Sequence, residues 1–378
     1  MFSTTDIYGF SQISLKGLSN EKSLLALAVL GAFAGVAQAQ SQVTIYGALD
    51  LAVSKTTGST TSMVNGDNNK LGFKGSEDLG GGLSATFQAE IRMDSDTGNT
   101  EGGGTRPLFQ GQTRVGLAGA FGQVRLGRGL TAVQDADGAY DPWGATRNRG
   151  TFVPTIMDAG YGSDPLNPAN GSQNRFSNAL FYNSPVMGGF QGNVTVATKE
   201  TGTLAVGGVP FGATNVPYSL AGTYNNGPIS AMLGYERNAV GDKYAQIAGS
   251  YNVGVANLMA SYAQTKFGTT GLSFDHANAF TPATATTGAS GIAVAPNAKT
   301  KAWLVGANIV AGPGNVLVGY GQKKGDSGLV QAGTIKQASL GYEYKLSKRT
   351  FVYTDYVNAR QSGTQTKNTI DVGIHHNF

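Results

Sequence analysis

Two runs of alternating apolar and polar residues mark one stretch of the chain, Lys70 to Asp94. From Leu83 onward every second residue of this stretch is apolar, and the residues between are polar. A period of two predicts a β-strand with one apolar and one polar face. Leu71 and Phe73 begin a similar run, and the two runs are separated by glycines, which can take positive φ in a turn. The stretch is therefore predicted to be a β-hairpin.

Such a hairpin fits two architectures, a soluble sandwich and a transmembrane barrel whose apolar face contacts lipid and whose polar face lines a lumen. Further along the chain, strand-like segments recur and are joined by alternately short and long connections. Short turns at one end and long loops at the other are typical of outer-membrane barrels. The prediction is therefore an all-β protein, a transmembrane antiparallel β-barrel of about 16 strands, with about 14 or 18 strands as alternatives.

The longest stretch without alternation, Gly129 to Gln173, follows two strand-like runs whose polar faces carry Arg114 and Arg125. A long segment without a period is usually functional. A barrel of about 16 strands has a backbone diameter of about 32 Å, which side chains cannot fill. We therefore expect Gly129 to Gln173 to fold into the lumen and constrict it.

Composition agrees with a barrel and excludes other classes. Only 13% of the 378 residues are charged, 56 are glycine and none is cysteine. The charged fraction is about half of that in soluble domains. The absence of cysteine excludes disulfide frameworks and thiolate metal sites, and it permits an oxidising compartment. The net charge of +4 is spread along the chain without a basic run, so nucleic acid is not an expected partner.

The N-terminal region has the features of a targeting segment. Leu24 to Ala37 is an unbroken run of apolar residues and glycine, too short to span a bilayer as a helix. Lys16 and Lys22 precede it, and Ala37-Gln38-Ala39 follows as a cleavage site. Residues 1–39 are predicted to be a leader and signal peptide that is cleaved, and residues 40–378 the mature barrel domain. A buried core helix is the alternative for the apolar run.

The chain ends in an amphipathic strand. One face of this strand carries Ile370, Val372, Ile374, His376 and Phe378, and the other carries Asp371, Gly373, His375 and Asn377. A last strand of this kind can pair with the first and close a barrel; an ordinary C-terminal strand is the alternative.

Enzymatic chemistry has little support in the sequence. The chain has three histidines, His276, His375 and His376. His276 follows Asp275 in a long connection and would be the candidate of a barrel hydrolase. His375 and His376 lie on opposite faces of one strand and cannot share a metal ion. Neither a nucleophile elbow nor a phosphate loop occurs. We predict no enzyme activity, no cofactor and no metal, with an outer-membrane hydrolase as the alternative.

Several segments together resemble Gram-negative general porins of the β-proteobacterial type. They are Leu71 to Leu83, Arg114 to Arg128, Asn178 to Pro185, Leu346 to Thr350 and Val372 to Phe378. The resemblance covers the whole mature chain. It implies a 16-stranded homotrimer in the outer membrane, exported through the periplasm and surrounded by lipid and lipopolysaccharide. It also implies passive diffusion of small hydrophilic solutes and ions through a water-filled channel narrowed by the third surface loop.

The resemblance further implies a constriction at which a basic wall faces an acidic loop. By motif and strand parity, the matching wall residues are Lys74, Arg92, Arg114, Arg125 and Arg128. The matching loop residues are Asp135, Asp137 and Asp141. Opposed charges set a transverse field that orients dipolar solutes. The net charge of +4 and the basic wall predict a weak anion preference.

Two alternatives remain for these residues. The arginines could pair with Glu90, Asp94 or the loop aspartates and hold the loop in place. The barrel could instead be a substrate-specific outer-membrane channel that binds its solute at wall residues such as Tyr46 and Gln88, or an adhesin-like structural barrel.

Overall fold

The computed structural model of the protein describes most of the chain from Gln42 onward. The described residues are 42–67, 69–145, 150–166, 174–199, 203–206, 209–268, 272–274, 291–293, 297–326 and 333–378. The predicted leader and signal peptide, residues 1–39, lie outside them, as do Asp275 and His276.

The described residues are mostly β-strand. The strands are β1 (Gln42–Thr56), β2 (Ser62–Asn65), β3 (Lys70–Gly80), β4 (Leu83–Asp94), β5 (Asn99–Thr100), β6 (Thr113–Gly119), β7 (Gly122–Leu130), β8 (Arg175–Asn183), β9 (Phe190–Ala197), β10 (Thr203–Val206), β11 (Val209–Gly212), β12 (Tyr218–Asn226), β13 (Ile229–Arg237), β14 (Lys243–Asn252), β15 (Ala256–Lys266), β16 (Leu272–Phe274), β17 (Gly291–Ala293), β18 (Lys299–Ala311), β19 (Gly314–Gly325), β20 (Gly333–Lys345), β21 (Thr350–Gln361) and β22 (Lys367–Asn377).

Sixteen of these strands form a closed antiparallel wall, which confirms the predicted fold class. Around the wall, β1 pairs with β3, β3 with β4, β4 with β6, and the pairing continues to β22. The strand β22 then pairs with β1, so that Ala48 to Thr56 lie opposite Thr369 to Asn377 and close the barrel. The short strand β2 pairs with β1 beyond the end of β3, along the same edge of β1.

The closure ends in a reciprocal pair of hydrogen bonds between Gly47 and Phe378. Each backbone N–H donates to the other residue's carbonyl oxygen at 3.1 Å. A Cβ atom on Gly47 would lie 2.3 Å from the Phe378 ring, so glycine is required for this approach. Since unpaired backbone groups are costly in lipid, the expected pairing of the last strand with the first completes the wall.

Alternating residues of the wall face opposite environments. On β1 and β22 the exposed side chains Leu49, Val53 and Val372 are apolar, whereas their neighbours Asp50 and Asp371 are buried and polar. The apolar face therefore points to lipid and the polar face into the barrel. None of the helices in the described residues has the length and apolarity needed to cross a membrane.

The segment after β7 supplies the helical elements of the described residues. They lie in residues 131–145 and 150–166 and are an α-helix α1 (Ala132–Ala136), a 3-10 helix (Asp137–Tyr140) and a π-helix (Val153–Met157). We call these two described stretches the inserted segment.

The inserted segment packs against the inner face of the wall and forms a hydrophobic core within the barrel. The cluster joins Val133, Tyr140, Trp143, Phe152, Ile156, Met157 and Tyr161 of the segment to Met232, Tyr244, Ala248, Ala263, Ala302, Leu304, Leu317, Ile335, Val357 and Ala359 of the wall. These wall residues belong to β13–β15 and β18–β21. The segment therefore occupies one arc of the lumen and leaves the arc from β1 to β8 uncovered by this core.

Buried hydrogen bonds fasten the inserted segment to the same arc. Glu236 on β13 accepts from the hydroxyl groups of Thr131 and Tyr161, the latter at 3.1 Å. The indole N–H of Trp143 donates to Asp355 on β21 at 2.8 Å. Because these polar groups are buried, each pairing offsets a desolvation cost that either partner alone would carry.

Glycines in the wall make room for the inserted segment. A Cβ atom on Gly319 would lie 2.5 Å from Cε2 of Phe152, and one on Gly306 would lie 2.5 Å from Cγ of Pro142. The wall glycines whose Cβ would meet the segment are Gly234, Gly306, Gly319, Gly321 and Gly341. The wall and the segment therefore fit only because side chains are missing at these points.

This fit predicts the effect of adding one methyl group. Gly319→Ala should lower the unfolding temperature of the folded barrel, since overpacking a close contact costs about 1–3 kcal/mol. The matched control is Gly222→Ala, because a Cβ at Gly222 meets no atom within 4 Å. The temperature at which the protein loses its folded electrophoretic mobility measures the effect. Equal temperatures for the two variants would contradict the steric argument.

Candidate channel constriction

A recess of about 330 Å³ opens on the arc of the wall that the hydrophobic core leaves uncovered. It lies between β1, β3, β4, β6 and β7. The charged residues around it are Lys74, Arg114 and Arg125, and Gln88 lies among them. Strand alternation brings these side chains together, because each occupies an inward-facing position of a different strand.

A chain of hydrogen bonds fixes Arg114 across three strands. Its Nη2 donates to Oε1 of Gln88 at 2.7 Å, and Nε2 of Gln88 donates to the Tyr46 hydroxyl at 2.7 Å. The Tyr46 hydroxyl in turn donates to Oε2 of Glu90 at 3.1 Å. The guanidinium is therefore held in one position on the wall.

Aromatic rings support the cations of this recess. The guanidinium carbons of Arg114 and Arg125 lie 5.3 and 6.0 Å from the ring centroid of Phe181. Nζ of Lys74 lies 5.2 Å from the centroid of Tyr46. Cation–π contacts of this kind stabilise a positive charge without neutralising it. The cations thus keep their charge available to solutes in the recess.

The structure places Arg92 apart from this recess. Arg92 is buried, and its Nη2 lies 3.8 Å from Oε1 of Glu101 in the connection after β5. Nη1 of Arg106 pairs with the other oxygen of Glu101 at 2.7 Å. Although burial opposes ionisation, Arg92 and Arg106 lower the pKa of Glu101 to about 2.

Arg128 also points away from the recess. Its Nε donates to the backbone carbonyl of Gln110 at 2.8 Å, and its Nη1 donates to the hydroxyl of Ser177 at 2.8 Å. The pairing of β7 with β8 shifts register between Gly127 and Gly129, next to this residue. Arg128 therefore ties the wall to the connection before β6.

The three predicted loop acids differ in exposure. Asp135 on α1 is exposed and lines an opening of about 410 Å³ together with Arg125 and Asn183. Asp137 is buried, and burial raises its pKa well above the usual value, with neighbouring carboxylates including that of Asp158 adding to the shift. The inserted segment thus presents the carboxylate of Asp135, and not that of Asp137, to the open lumen.

Asp141 organises the inserted segment from within. Its Oδ2 accepts hydrogen bonds from the Thr151 hydroxyl at 2.7 Å and from the backbone N–H groups of Phe152 and Val153 at 2.6 and 2.9 Å. Its Oδ1 accepts from the N–H of Trp143 at 2.9 Å. Burial raises the pKa of Asp141, and these hydrogen bonds oppose the shift.

Three contributors to this region were not assigned from the sequence. Phe181 lies beneath the two arginines, Asn183 accepts a hydrogen bond from Arg125, and Glu236 anchors the inserted segment. The alternation of the sequence could have identified Phe181 and Asn183, because they occupy alternate positions in the segment Asn178 to Pro185. Glu236 gave no such signal, since its partners lie far away in the chain.

A closed wall, a segment packed in the lumen and a charged recess beside it define a β-barrel channel. A family model described as Gram-negative porin matches residues 26–364, and the chain belongs to this family of outer-membrane channel proteins.

Known relatives cover nearly the whole chain. Outer membrane porin protein 32 of Delftia acidovorans is 32% identical, with 95% of this chain and 100% of that protein covered. An outer membrane porin protein of Bordetella pertussis is 29% identical with the same coverage.

Among solved structures, the anion-selective porin from Comamonas acidovorans is similar at a TM-score of 0.71 with 26% identity, covering 90% of this chain and 100% of that one. The trimer form of OmpT from Vibrio cholerae shares the fold at a TM-score of 0.61 with 14% identity, covering 89% and 99%.

The pairing of Glu101 predicts a pH-dependent contribution to stability. Because the pKa of Glu101 is lowered from 4.5 to about 2 in the folded state, its ion pairs stabilise the fold fully above pH 4.5. This contribution is lost as the pH falls towards 2. Glu101→Gln should lower the unfolding temperature at pH 7, and its difference from the wild type should shrink between pH 4.5 and 2. Glu77→Gln, at an exposed position near the end of β3, is the control. A pH-independent difference would refute the assignment.

Proposed function

We propose that this outer-membrane porin passes small hydrophilic solutes and ions by passive diffusion and prefers anions through Lys74, Arg114 and Arg125. The observation that carries the proposal is the shared recess of these three cations, set against Asp135, the one exposed carboxylate among the described residues of the inserted segment. The function requires no catalytic group and no cofactor.

The placement of charge supports this selectivity. The three cations line the recess, with Arg114 itself only 7% exposed. Aromatic rings and amides hold Arg114 and Arg125, and neither is directly bonded to a carboxylate among the described hydrogen bonds. Fixed charge beside a narrow aqueous path raises the local concentration of ions of opposite sign. The similar structure from Comamonas acidovorans is itself described as an anion-selective porin.

The remaining predicted residues have supporting roles in this proposal. Arg92 and Arg128 hold the connection between β4 and β6 against the wall, while Asp141 shapes the inserted segment. Asp135 supplies the negative side of the transverse field across the path.

Selectivity can be tested by removing single charges. A unit charge about 9 Å from a permeating ion in water stabilises an anion and destabilises a cation by about 0.5 kcal/mol each, which together is roughly a fivefold change in the anion-to-cation ratio. Arg114→Gln and Arg125→Gln should each lower the anion-to-cation permeability ratio by about this factor, and Asp135→Asn should raise it. The measurement is the reversal potential of reconstituted channels in a salt gradient.

The matched control for this test is Arg349→Gln, which removes the same charge from an exposed turn between β20 and β21. It should leave the reversal potential close to that of the wild type. Cation preference in the wild-type protein, or equal shifts in all arginine variants, would overturn the proposal.

We also propose that the channel assembles as a homotrimer within outer-membrane lipid that includes lipopolysaccharide. The apolar outer face, to which Leu49, Val53 and Val372 contribute, can contact either lipid or another subunit. Unheated protein extracted in mild detergent should migrate at about three times the mass of the heated chain, as expected for a closed cyclic assembly. Chemical cross-linking should stop at the trimer, and a monomer in both measurements would contradict the proposal.

A further inference from the structure

A second cluster of ionisable side chains lies where the barrel closes, outside the recess described above. It consists of Asp50 on β1, His375 on β22 and Asp67 between β2 and β3. Nδ1 of His375 lies 2.9 Å from Oδ2 of Asp50 and 4.0 Å from Oδ2 of Asp67. One potential ligand atom from each residue lies within 4.8 Å of the others.

The register of the wall brings these residues together. Asp50 and His375 are direct partners in the pairing of β1 with β22. On the other side of β1, Leu51 lies opposite Asn65 and Ala48 lies opposite Lys70, so fewer residues separate the two positions on β1 than on the partner chain segment. The partner strand therefore carries extra residues here, including Asp67. A local irregularity of this kind redirects a side chain that regular pairing would place elsewhere.

Backbone contacts fix the irregular stretch on Asp50. The Asn69 side chain accepts from the N–H of Asp50 at 2.5 Å and donates to its carbonyl at 3.1 Å. A Cβ atom on Gly66 would lie 2.0 Å from Oδ1 of Asp50, so the backbone approaches the carboxylate closely at a glycine. The stretch that carries Asp67 is thus built against the cluster.

Neighbouring aromatic residues orient two of the potential ligands. The Tyr353 hydroxyl donates to Oδ1 of Asp50 at 2.6 Å, which leaves Oδ2 directed at His375. The ring of Phe351 stacks on the imidazole with a centroid distance of 4.6 Å and an interplanar angle of 14°. Outer contacts of this kind are what hold ligands in place at metal centres.

The charges of the cluster favour a cation. The side chains of Asp50 and His375 are 1% and 4% exposed, and that of Asp67 is 11% exposed. Two carboxylate oxygens and one imidazole nitrogen, which are all donor types that bind divalent ions, thus face one another. A divalent ion bound between them would neutralise both carboxylates, and burial of charge is tolerated when it is paired in this way.

We propose that Asp50, Asp67 and His375 bind a zinc ion. One imidazole nitrogen and two carboxylate oxygens are common zinc ligands, and water can fill the fourth position of a tetrahedral site. Zinc–ligand bonds of about 2.1 Å imply ligand separations of about 3.4 Å, between the two observed distances from Nδ1. Zinc takes the place of a proton on Nδ1, and that proton leaves to solvent.

The sequence alone does not predict such a site, because its three residues lie far apart in the chain. Its three ligands come from the first strand, the last strand and the connection after the first strand. A bound ion would therefore link the two strands that close the barrel and resist their separation.

The test is equilibrium dialysis of the folded, tag-free porin in detergent against Zn²⁺. One ion should bind per chain. His375→Gln and Asp67→Asn should abolish this binding, and Tyr353→Phe should weaken it by about 10-fold, as expected for a residue that orients a ligand. Zinc should also raise the unfolding temperature of the wild type but not of His375→Gln.

The matched control is His376→Gln. His376 lies next in the chain but is exposed, and its Nδ1 lies 2.9 Å from the Thr350 hydroxyl. This variant should bind zinc like the wild type. Electrophoretic mobility of unheated samples identifies variants that have folded, and Asp67→Asn decides the question if His375→Gln does not fold. Absence of saturable binding, binding that survives Asp67→Asn, or displacement of zinc by equimolar Ca²⁺ would each overturn the proposal.

Discussion

The structure depends on one constraint, which is that backbone N–H and C=O groups in lipid must find partners within the protein. A sheet meets this constraint only when its first and last strands pair. The pairing of β1 with β22, completed by Gly47 and Phe378, therefore determines the rest of the architecture. Once the wall is closed, alternation assigns each wall side chain either to lipid or to the lumen, and charged groups within the membrane can gather only on the lumen side.

Closure also explains why the hydrophobic core lies inside the barrel. The apolar outer face has lipid as its solvent, so the aromatic residues of the inserted segment find their partners on the inner face of the wall. That packing covers the arc from β13 to β21 and is reinforced by Glu236 and Asp355. The arc from β1 to β8 stays polar and charged, and the asymmetry places the cationic recess beside the remaining open space.

Strand parity explains how much could be predicted from the sequence. Period-two alternation identified the wall. The same parity grouped Lys74, Arg114 and Arg125 on one face, and these three residues line one recess in the structure. Parity gives the face of a strand on which a residue lies but not its position along the barrel axis. The contact of Arg92 with Glu101 could therefore not be predicted from the sequence. The inserted segment has no period at all, which is why the burial of Asp137 and Asp141 could not be inferred. Pairings between distant segments, such as Asp50 with His375, can be predicted only when the register between the first and last strands is known.

The wall glycines beneath the inserted segment have a consequence for channel engineering. The wall has no side chain of its own at Gly306, Gly319 and Gly341. Pro142, Phe152 and Trp143 of the inserted segment cover the wall at these positions. Shortening the segment to widen the pore would expose bare backbone and the apolar residues Leu304 and Leu317 to water. A wider channel with an intact wall would need new polar side chains at those glycines, so pore diameter and wall sequence must be redesigned together.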